Sequence, residues 1–488
     1  MNHSRTLLPL ILVALLGLAG CATRPVNPPV TQANVESGYT FQTRQKYFKS
    51  QDNLVVLAFS GGGTRAAAFS FGVLEFLKRT EVVGPTGNTF RLLDAVDMIT
   101  GVSGGSFTAL AYGLYGDKLF ADYETRFLKR NVQGELLARS VNPGNWGKLS
   151  STAWGRSELA ADYYDEILFN NATYGDLDRG TGPYIVASAT DISTGGRMPF
   201  NQNVWNVLCS DLREVKLSRA AAASSAVPVL LSPVTINNYG GTCNYQIPAW
   251  AKAYLETANP PRPAARAIRE IRDIQPYADG VQRPYIHLVD GGVSDNLGMR
   301  GVLDALELLE ALHAKGLPTP LDHVKRVIIF VVNSLSSPPT NWDESESPPG
   351  TVAILLKATG VPIDHYSYEA VEQLKDIAAR WQTARELRNL AGCATNKDSP
   401  VCAAITVPAA EVFAIDVSFA SLPDPKERAY LNEQPTSFVL PAEAVDRLRA
   451  AAGTIMLASP EFQRLLKDVG AKVVADPATP ANAGASAH

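Results

Sequence analysis

The chain has 488 residues, with 44 lysines and arginines against 48 aspartates and glutamates, a formal net charge of −4, and 46% hydrophobic residues. Mild acidity without a basic stripe argues against a nucleic-acid-binding protein and gives no strong electrostatic pull toward anionic lipid. Five cysteines and six histidines show no metal-ligand spacing, so no metal is expected.

At the amino terminus, Arg5 precedes an apolar run over residues 7–16, and Leu18-Ala19-Gly20-Cys21 follows. A basic start, a short apolar core and small residues make a secretory signal, too short and wrongly flanked for a membrane span. A cysteine directly after Leu-Ala-Gly resembles a bacterial lipoprotein signal, the alternative being an ordinary signal with an incidental cysteine. That resemblance implies removal of residues 1–20 and lipidation of Cys21. Ala22, rather than an aspartate, resembles enterobacterial sorting to the outer membrane. The expected location is therefore the bacterial cell envelope, lipid-anchored, at the outer membrane. Residues 21–38, with Pro25, Pro28 and Pro29, are expected to be a lipidated tether holding a folded body, residues 39–474, off the membrane. The Ala/Pro-rich residues 475–488 are expected to be disordered.

The first strong strand, residues 53–59, runs into Gly61-Gly62-Gly63-Thr64-Arg65, and a helix follows with Phe69, Val73, Leu74, Phe76 and Leu77 at helical spacing. Three glycines between strand and helix let backbone N–H groups converge on one point, as an oxyanion requires. Arg65 could orient that loop or add positive field. A nucleotide loop would end in Lys-Ser/Thr or show Gly-x-Gly-x-x-Gly, and neither is present. A purely structural glycine turn is the other alternative. Residues 95–100 form a short apolar run leading to Gly101-Val102-Ser103-Gly104-Gly105 and then to a small-residue helix. A strand that turns directly into a helix strains the residue at the turn and needs small neighbours, which pushes the serine hydroxyl out beside unpaired helix N–H groups.

Residues 243–284 carry amphipathic stretches at 250–255 and 264–271, split by Pro260, Pro261 and Pro263, and form either a lid or membrane-facing surface or a solvated excursion. Residues 285–289 are a strand that delivers Asp290 to Gly291-Gly292, at a strand's carboxyl end where ligands gather in open α/β sheets. A carboxylate there can accept a serine proton, although an Asp-Gly turn also arises for local reasons. Asp295 reads as the cap of the next helix. Later strands are expected at 324–332 and 411–417, a loop at 335–350, and a charged helix at 368–390. His313, His323 and His365 follow Asp290, but none occupies a loop after a late strand, and His287 sits inside one. A Ser-Asp-His triad is therefore not expected. Alternating strands and helices predict an α/β fold with a mostly parallel central sheet and helices on both faces.

The glycine loop with Arg65, the Ser103 elbow and the Asp290-Gly-Gly turn, in this order, resemble the patatin-like phospholipase family over residues 53–308. Residues 185–191 with Thr194-Gly195 resemble the family's strand and turn after the elbow, residues 223–228 resemble its small-residue helix running into a proline, and residues 243–284 are an insertion relative to it. The resemblance implies a three-layer patatin-like α/β fold and a serine esterase of the phospholipase or lysophospholipase type. It also implies a Ser103–Asp290 dyad acting through an acyl-enzyme. Gly61, Gly62, Gly63 and the N–H of Gly104 would form the oxyanion hole, with Arg65 in support. No cofactor is implied. The expected partners are a phospholipid or other acyl-ester lipid as substrate and a membrane through the N-terminal anchor, with oligomeric state open. Alternatives are an acyltransferase with the same dyad, or a catalytically degenerate envelope lipoprotein that binds or scaffolds. Export makes disulfides plausible among Cys209, Cys243, Cys393 and Cys402. Proximity favours Cys209–Cys243 and Cys393–Cys402, with the other connectivities and free thiols open.

Overall fold

The computed structural model describes residues 22–473, apart from positions 35, 84–86, 88, 152, 249–250, 253–255, 257–264, 320–321, 338–339, 396–398, 406 and 409. The expected signal segment at residues 1–20, Cys21, most of residues 250–255, the proline cluster and the tail 475–488 lie outside the described residues.

The strands, in chain order, are β1 (Asn53–Phe59), β2 (Thr80–Val83), β3 (Thr89–Arg91), β4 (Met98–Val102), β5 (Tyr184–Asp191), β6 (Arg197–Pro199), β7 (Val234–Asn237), β8 (Tyr285–Asp290), β9 (Arg326–Asn333), β10 (Glu411–Ser418) and β11 (Lys472–Val473). The main sheet has the order β10-β9-β1-β4-β5-β8-β7, with β6 on β5. A small sheet has the order β11-β2-β3. From β10 to β5 every pairing is parallel. β8 is antiparallel to β5, and β7 to β8.

Side-chain alternation explains the layers, because successive residues of a strand face opposite ways. Leu57, Phe59, Ile328, Phe330, Phe413 and Ile415 enter one apolar core. Their neighbours Val56, Ala58, Val327, Ile329, Val412 and Ala414 enter a second. A sheet apolar on both faces must be covered on both. The helices that matter here are α1 (Gly63–Lys78), α2 (Gly104–Tyr115), α3 (Leu217–Ser224), α4 (Ala265–Ile274), α5 (Arg300–Ala314), α6 (Thr351–Leu390), α7 (Ala442–Ala458) and α8 (Pro460–Asp468). The first three, with α7 and α8, cover the first face, and α5 and α6 cover the second, where Trp381 is fully buried.

Two expectations change. The sequence places the late helix at residues 368–390, whereas α6 starts at Thr351 and runs on through Gly360 and Pro362. Pro362 lies on exposed helix, where water can serve the carbonyl that the missing N–H leaves free. The tether is not free in water. Asn27 is buried and bonds Ser210 Oγ and the carbonyl of Asn237, both at 2.9 Å. The amides of Val30 and Ala33 donate to the carbonyls of Cys209 and Cys243 at 2.8 and 2.9 Å. The prolines that suggested a spacer also hold the backbone extended, which lowers the entropy lost when the segment docks as a strap. In the insertion, α4 packs on α5, with Ile268 and Ala311 in a small apolar cluster. Arg197 and Glu270 form an ion pair beneath α4.

Cys209 is bonded to Cys243 and Cys393 to Cys402, with sequence separations of 34 and 9. Loop entropy makes the first worth roughly 4 kcal/mol and the second roughly 3. The double substitution Cys209→Ser/Cys243→Ser should therefore lower the urea midpoint more than Cys393→Ser/Cys402→Ser. It should also speed proteolysis of the strap at residues 24–33. Equal losses with an untouched strap would contradict this account.

Candidate active site

Strand register brings the two distant motifs together. In the parallel pair, Val102 lies opposite Ser188, so Ser103 arrives at the level of Ala189. In the antiparallel pair, Ala189 lies opposite Asp290. The serine and the aspartate thus flank one residue of β5. The sequence argument from carboxyl ends of parallel strands does not hold for Asp290, since β8 runs against β5. Asp290 reaches the serine because β8 comes in from the opposite direction and stops where β4 stops.

Ser103 sits at φ 48°, ψ −122°, a strained conformation for a residue with a Cβ. The turn tolerates it because its neighbours lack side chains. A Cβ on Gly104 would lie 2.0 Å from the carbonyl oxygen of Gly63, and one on Gly105 2.6 Å from that of Ser60. The amide of Ser103 donates to Ser224 Oγ at 2.9 Å, and Ser224 Oγ donates to the carbonyl of Ser188 at 2.7 Å.

Ser103 Oγ donates to Asp290 Oδ2 at 2.9 Å. The other carboxylate oxygen accepts the amide of Gly292 at 2.7 Å, and the Asp290 amide donates to the carbonyl of Ala226 at 2.9 Å. Both side chains are buried. Burial pushes the Asp290 carboxyl up to about 6, against the opposing pull of the Gly292 and Ser103 hydrogen bonds. The group is ionised at neutral pH yet basic enough to take a proton.

The glycine loop lies against the elbow, since a Cβ on Gly61 would lie 3.3 Å from that of Ser103. Its amides do not all remain available. The Gly61 N–H donates to the carbonyl of Asn296 at 2.8 Å, so Gly61 shapes the loop and does not present a donor. The amides of Gly62, Gly63 and Gly104 make no hydrogen bond among the described residues. The first two belong to residues with φ of 137° and 59°, and Gly104 opens α2. These three are the donors an oxyanion could use. Arg65 is buried with its guanidinium directed at protein oxygens. It bonds the carbonyls of Ser334 and Gln434, both at 2.7 Å, and Thr436 Oγ1 at 3.0 Å. Burial lowers its pKa to about 10. Arg65 thus ties the loop to the end of β9 and to residues 434–436.

Among the described residues, no histidine is hydrogen-bonded to Ser103 or Asp290. His287 meets Thr235 at 2.9 Å, His313 lies 3.9 Å from Asp322, and His365 is on α6. Asp295 accepts the amides of Met299 and Arg300 at the start of α5. Four residues escaped the sequence reading: Asn296, Ser224, Ser334 and Tyr366. A Cβ on Gly61 would lie 2.5 Å from Asn296 Oδ1, and one on Gly292 3.2 Å from it. Asn296 therefore stands between the glycine loop and the Asp290 turn. Ser334 Oγ donates to the carbonyl of Gly61 at 3.0 Å, and Tyr366 Oη donates to that of Gly292. Only the small-residue run at 223–228 gave any hint of Ser224. The other three are marked by nothing but distant contacts.

Two outcomes follow for the carboxylate and its neighbour. Because Asp290 holds its proton more tightly folded than unfolded, its contribution to stability is fully present below about pH 4 and falls as pH rises through about 6. Asp290→Asn should then be more stable than wild type at pH 8, by about 1–3 kcal/mol, with the gap closing at pH 4 in denaturant melts. Asn296→Ala should lower kcat by about tenfold or more while leaving the fold intact by circular dichroism, as expected for a loop that holds transition-state donors.

The description "Patatin-like phospholipase" matches residues 57–303. No curated protein is significantly similar in sequence. Among solved structures, human GIVD cytosolic phospholipase A2 is 13% identical with a TM-score of 0.43, covering 92% of this chain, which itself spans 66% of that one. The same human protein in complex with methyl gamma-linolenyl fluorophosphonate matches at 12% identity and a TM-score of 0.34, over 88% of this chain and 62% of that one. VipD from Legionella pneumophila matches at 9% identity and a TM-score of 0.23, over 88% and 71%. With the family match spanning half the chain and all three motif clusters, the protein belongs to the patatin-like phospholipase family.

Proposed function

We propose that the protein is a lipid acyl hydrolase working through a Ser103–Asp290 dyad. The observation that carries this reading is the 2.9 Å hydrogen bond from Ser103 Oγ to a buried carboxylate, beside three amides without partners among the described residues. Ser103 Oγ attacks the acyl carbonyl carbon while Asp290 takes its proton. The carbonyl electrons move to oxygen, which the amides of Gly62, Gly63 and Gly104 stabilise. Collapse expels the lipid alcohol, which takes the proton from Asp290, and leaves Ser103 acylated. A water molecule then repeats the sequence, with Asp290 again accepting the proton, and releases the fatty acid. Arg65 and Asn296 hold the donor loop and need not touch the substrate.

The substrate class is an ester-linked acyl lipid, a phospholipid or lysophospholipid. In this reading residues 1–20 are removed and Cys21 carries the lipid that anchors the enzyme in the bacterial envelope. Ala22 is held by Ser151, whose hydroxyl donates to its carbonyl at 2.7 Å, so the anchor would leave directly from the folded body.

Activity on phosphatidylethanolamine vesicles and on a soluble short-chain ester tests the proposal. Ser103→Ala and Asp290→Asn should each lose at least about 10³-fold, and kcat/KM of the wild type should rise with pH through about 6, where Asp290 ionises. An alkyl fluorophosphonate should label Ser103 in the folded wild type. A wild type that neither hydrolyses these esters nor reacts with the probe would leave the binding or scaffold reading standing. Ester products formed with an added alcohol would identify a transferase.

A further inference from the structure

We propose that Val229 and Leu230, with the first three turns of α6, form the face that beds into a lipid bilayer, in line with the membrane anchor. This rests on the reading of the site as a lipid acyl hydrolase and adds to it the surface by which a bilayer reaches Ser103.

Both apolar stretches are fastened to the turn that carries Asp290. The Asp290 amide donates to the carbonyl of Ala226. Three residues further on, Val229 is held at φ 75°, a backbone conformation that a β-branched residue rarely adopts, and Leu230 is 58% exposed. From α6, Tyr366 Oη donates to the carbonyl of Gly292, and Ser337 donates to Asp364 at 3.3 Å. The turns preceding these contacts carry Ile354, Leu355 and Val361, all exposed. Val293 is exposed next to Gly292 itself. Large apolar side chains in water on two segments that meet at one site mark a surface that is covered in use.

The occupant follows from where the chain leaves the body. Ser151 holds the carbonyl of Ala22. Five residues later, Arg156 Nη2 donates to the carbonyl of Val229 at 3.1 Å, and the amide of Ser157 donates to Ser232 Oγ at 3.1 Å. Five residues of extended chain span at most about 18 Å. The residue after Cys21 and the apolar loop are therefore clamped to one short segment, and an anchor at Cys21 would bring Val229 and Leu230 down to the membrane that holds it. The whole chain's net charge of −4 gives no strong attraction to anionic lipid, whereas apolar insertion can supply this contact.

The test uses the full chain, lipidated and reconstituted in vesicles of phosphatidylethanolamine and phosphatidylglycerol. Single Leu230→Cys, Leu355→Cys and Leu387→Cys variants are labelled with an environment-sensitive dye. Leu387 is half exposed, like Leu355, and lies roughly 50 Å further along the same helix. Dye at 230 and 355 should shift to the blue and be quenched by nitroxide lipids, while dye at 387 stays in water. Three equally wet positions would overturn the proposal. A blue shift at 230 and 355 that appears without vesicles, in a species of dimeric mass, would overturn it in favour of a second copy. The double substitution Leu230→Asp/Leu355→Asp should lower hydrolysis of vesicle phospholipid by about tenfold or more, with a soluble short-chain ester cleaved within about twofold of wild type. If wild type cleaves neither, the hydrolase reading fails on its own, and the dye positions still decide the surface.

Discussion

Everything at the site depends on β4 and β8 ending at the same level on either side of β5. Val102 faces Ser188 and Asp290 faces Ala189, so a hydroxyl and a carboxylate 187 positions apart share a proton across one strand. A one-residue slip in either pairing would turn one side chain to the opposite face. The pairing is locked by contacts that only glycine allows. A Cβ on Gly291 would lie 2.2 Å from the carbonyl oxygen of Ser188, and one on Gly104 2.0 Å from that of Gly63. The same close approaches that fix the register leave the donor amides of Gly62, Gly63 and Gly104 grouped beside Ser103.

The electrostatics follow from what is kept away from Asp290. Among the described residues no cation pairs with it, and burial dominates its pKa. An arginine in contact would hold the carboxylate ionised and weaken it as a base. The nearest motif arginine, Arg65, is committed to the carbonyls of Ser334 and Gln434. Its charge stabilises the loop through main-chain oxygens, and the basicity of Asp290 is preserved. Two hydrogen bonds, from Gly292 and Ser103, orient the carboxylate.

Around this centre, segments far apart in sequence act as braces. The strap at residues 24–33 is held by the carbonyls of Cys209 and Cys243, so the disulfide and the strap support one another. Residues 151–157 hold both the end of the strap and the loop carrying Val229. α6 contributes Trp381 to the second core from its C-terminal half and Tyr366 to the Asp290 turn. The packing therefore links the point where the chain enters the body with the walls of the site.

By itself the sequence determined the three-layer α/β class, because β1, β9 and β10 are apolar on both alternating faces and helix-period segments lie between strands. It also determined the elbow serine, the Asp-Gly-Gly turn and the glycine loop, since each is a local demand for small residues around a strained or closely approached backbone. Only the tertiary structure decided that β8 runs antiparallel, that the Gly61 amide goes to Asn296, and that Ser224, Ser334 and Tyr366 stand around the centre. It likewise decided that residues 24–33 dock and that α6 continues through Pro362. Those outcomes depend on which partner a polar or apolar group meets across hundreds of residues. Local periodicity and turn chemistry report only on the neighbours a residue has along the chain, and so they carry no trace of such encounters.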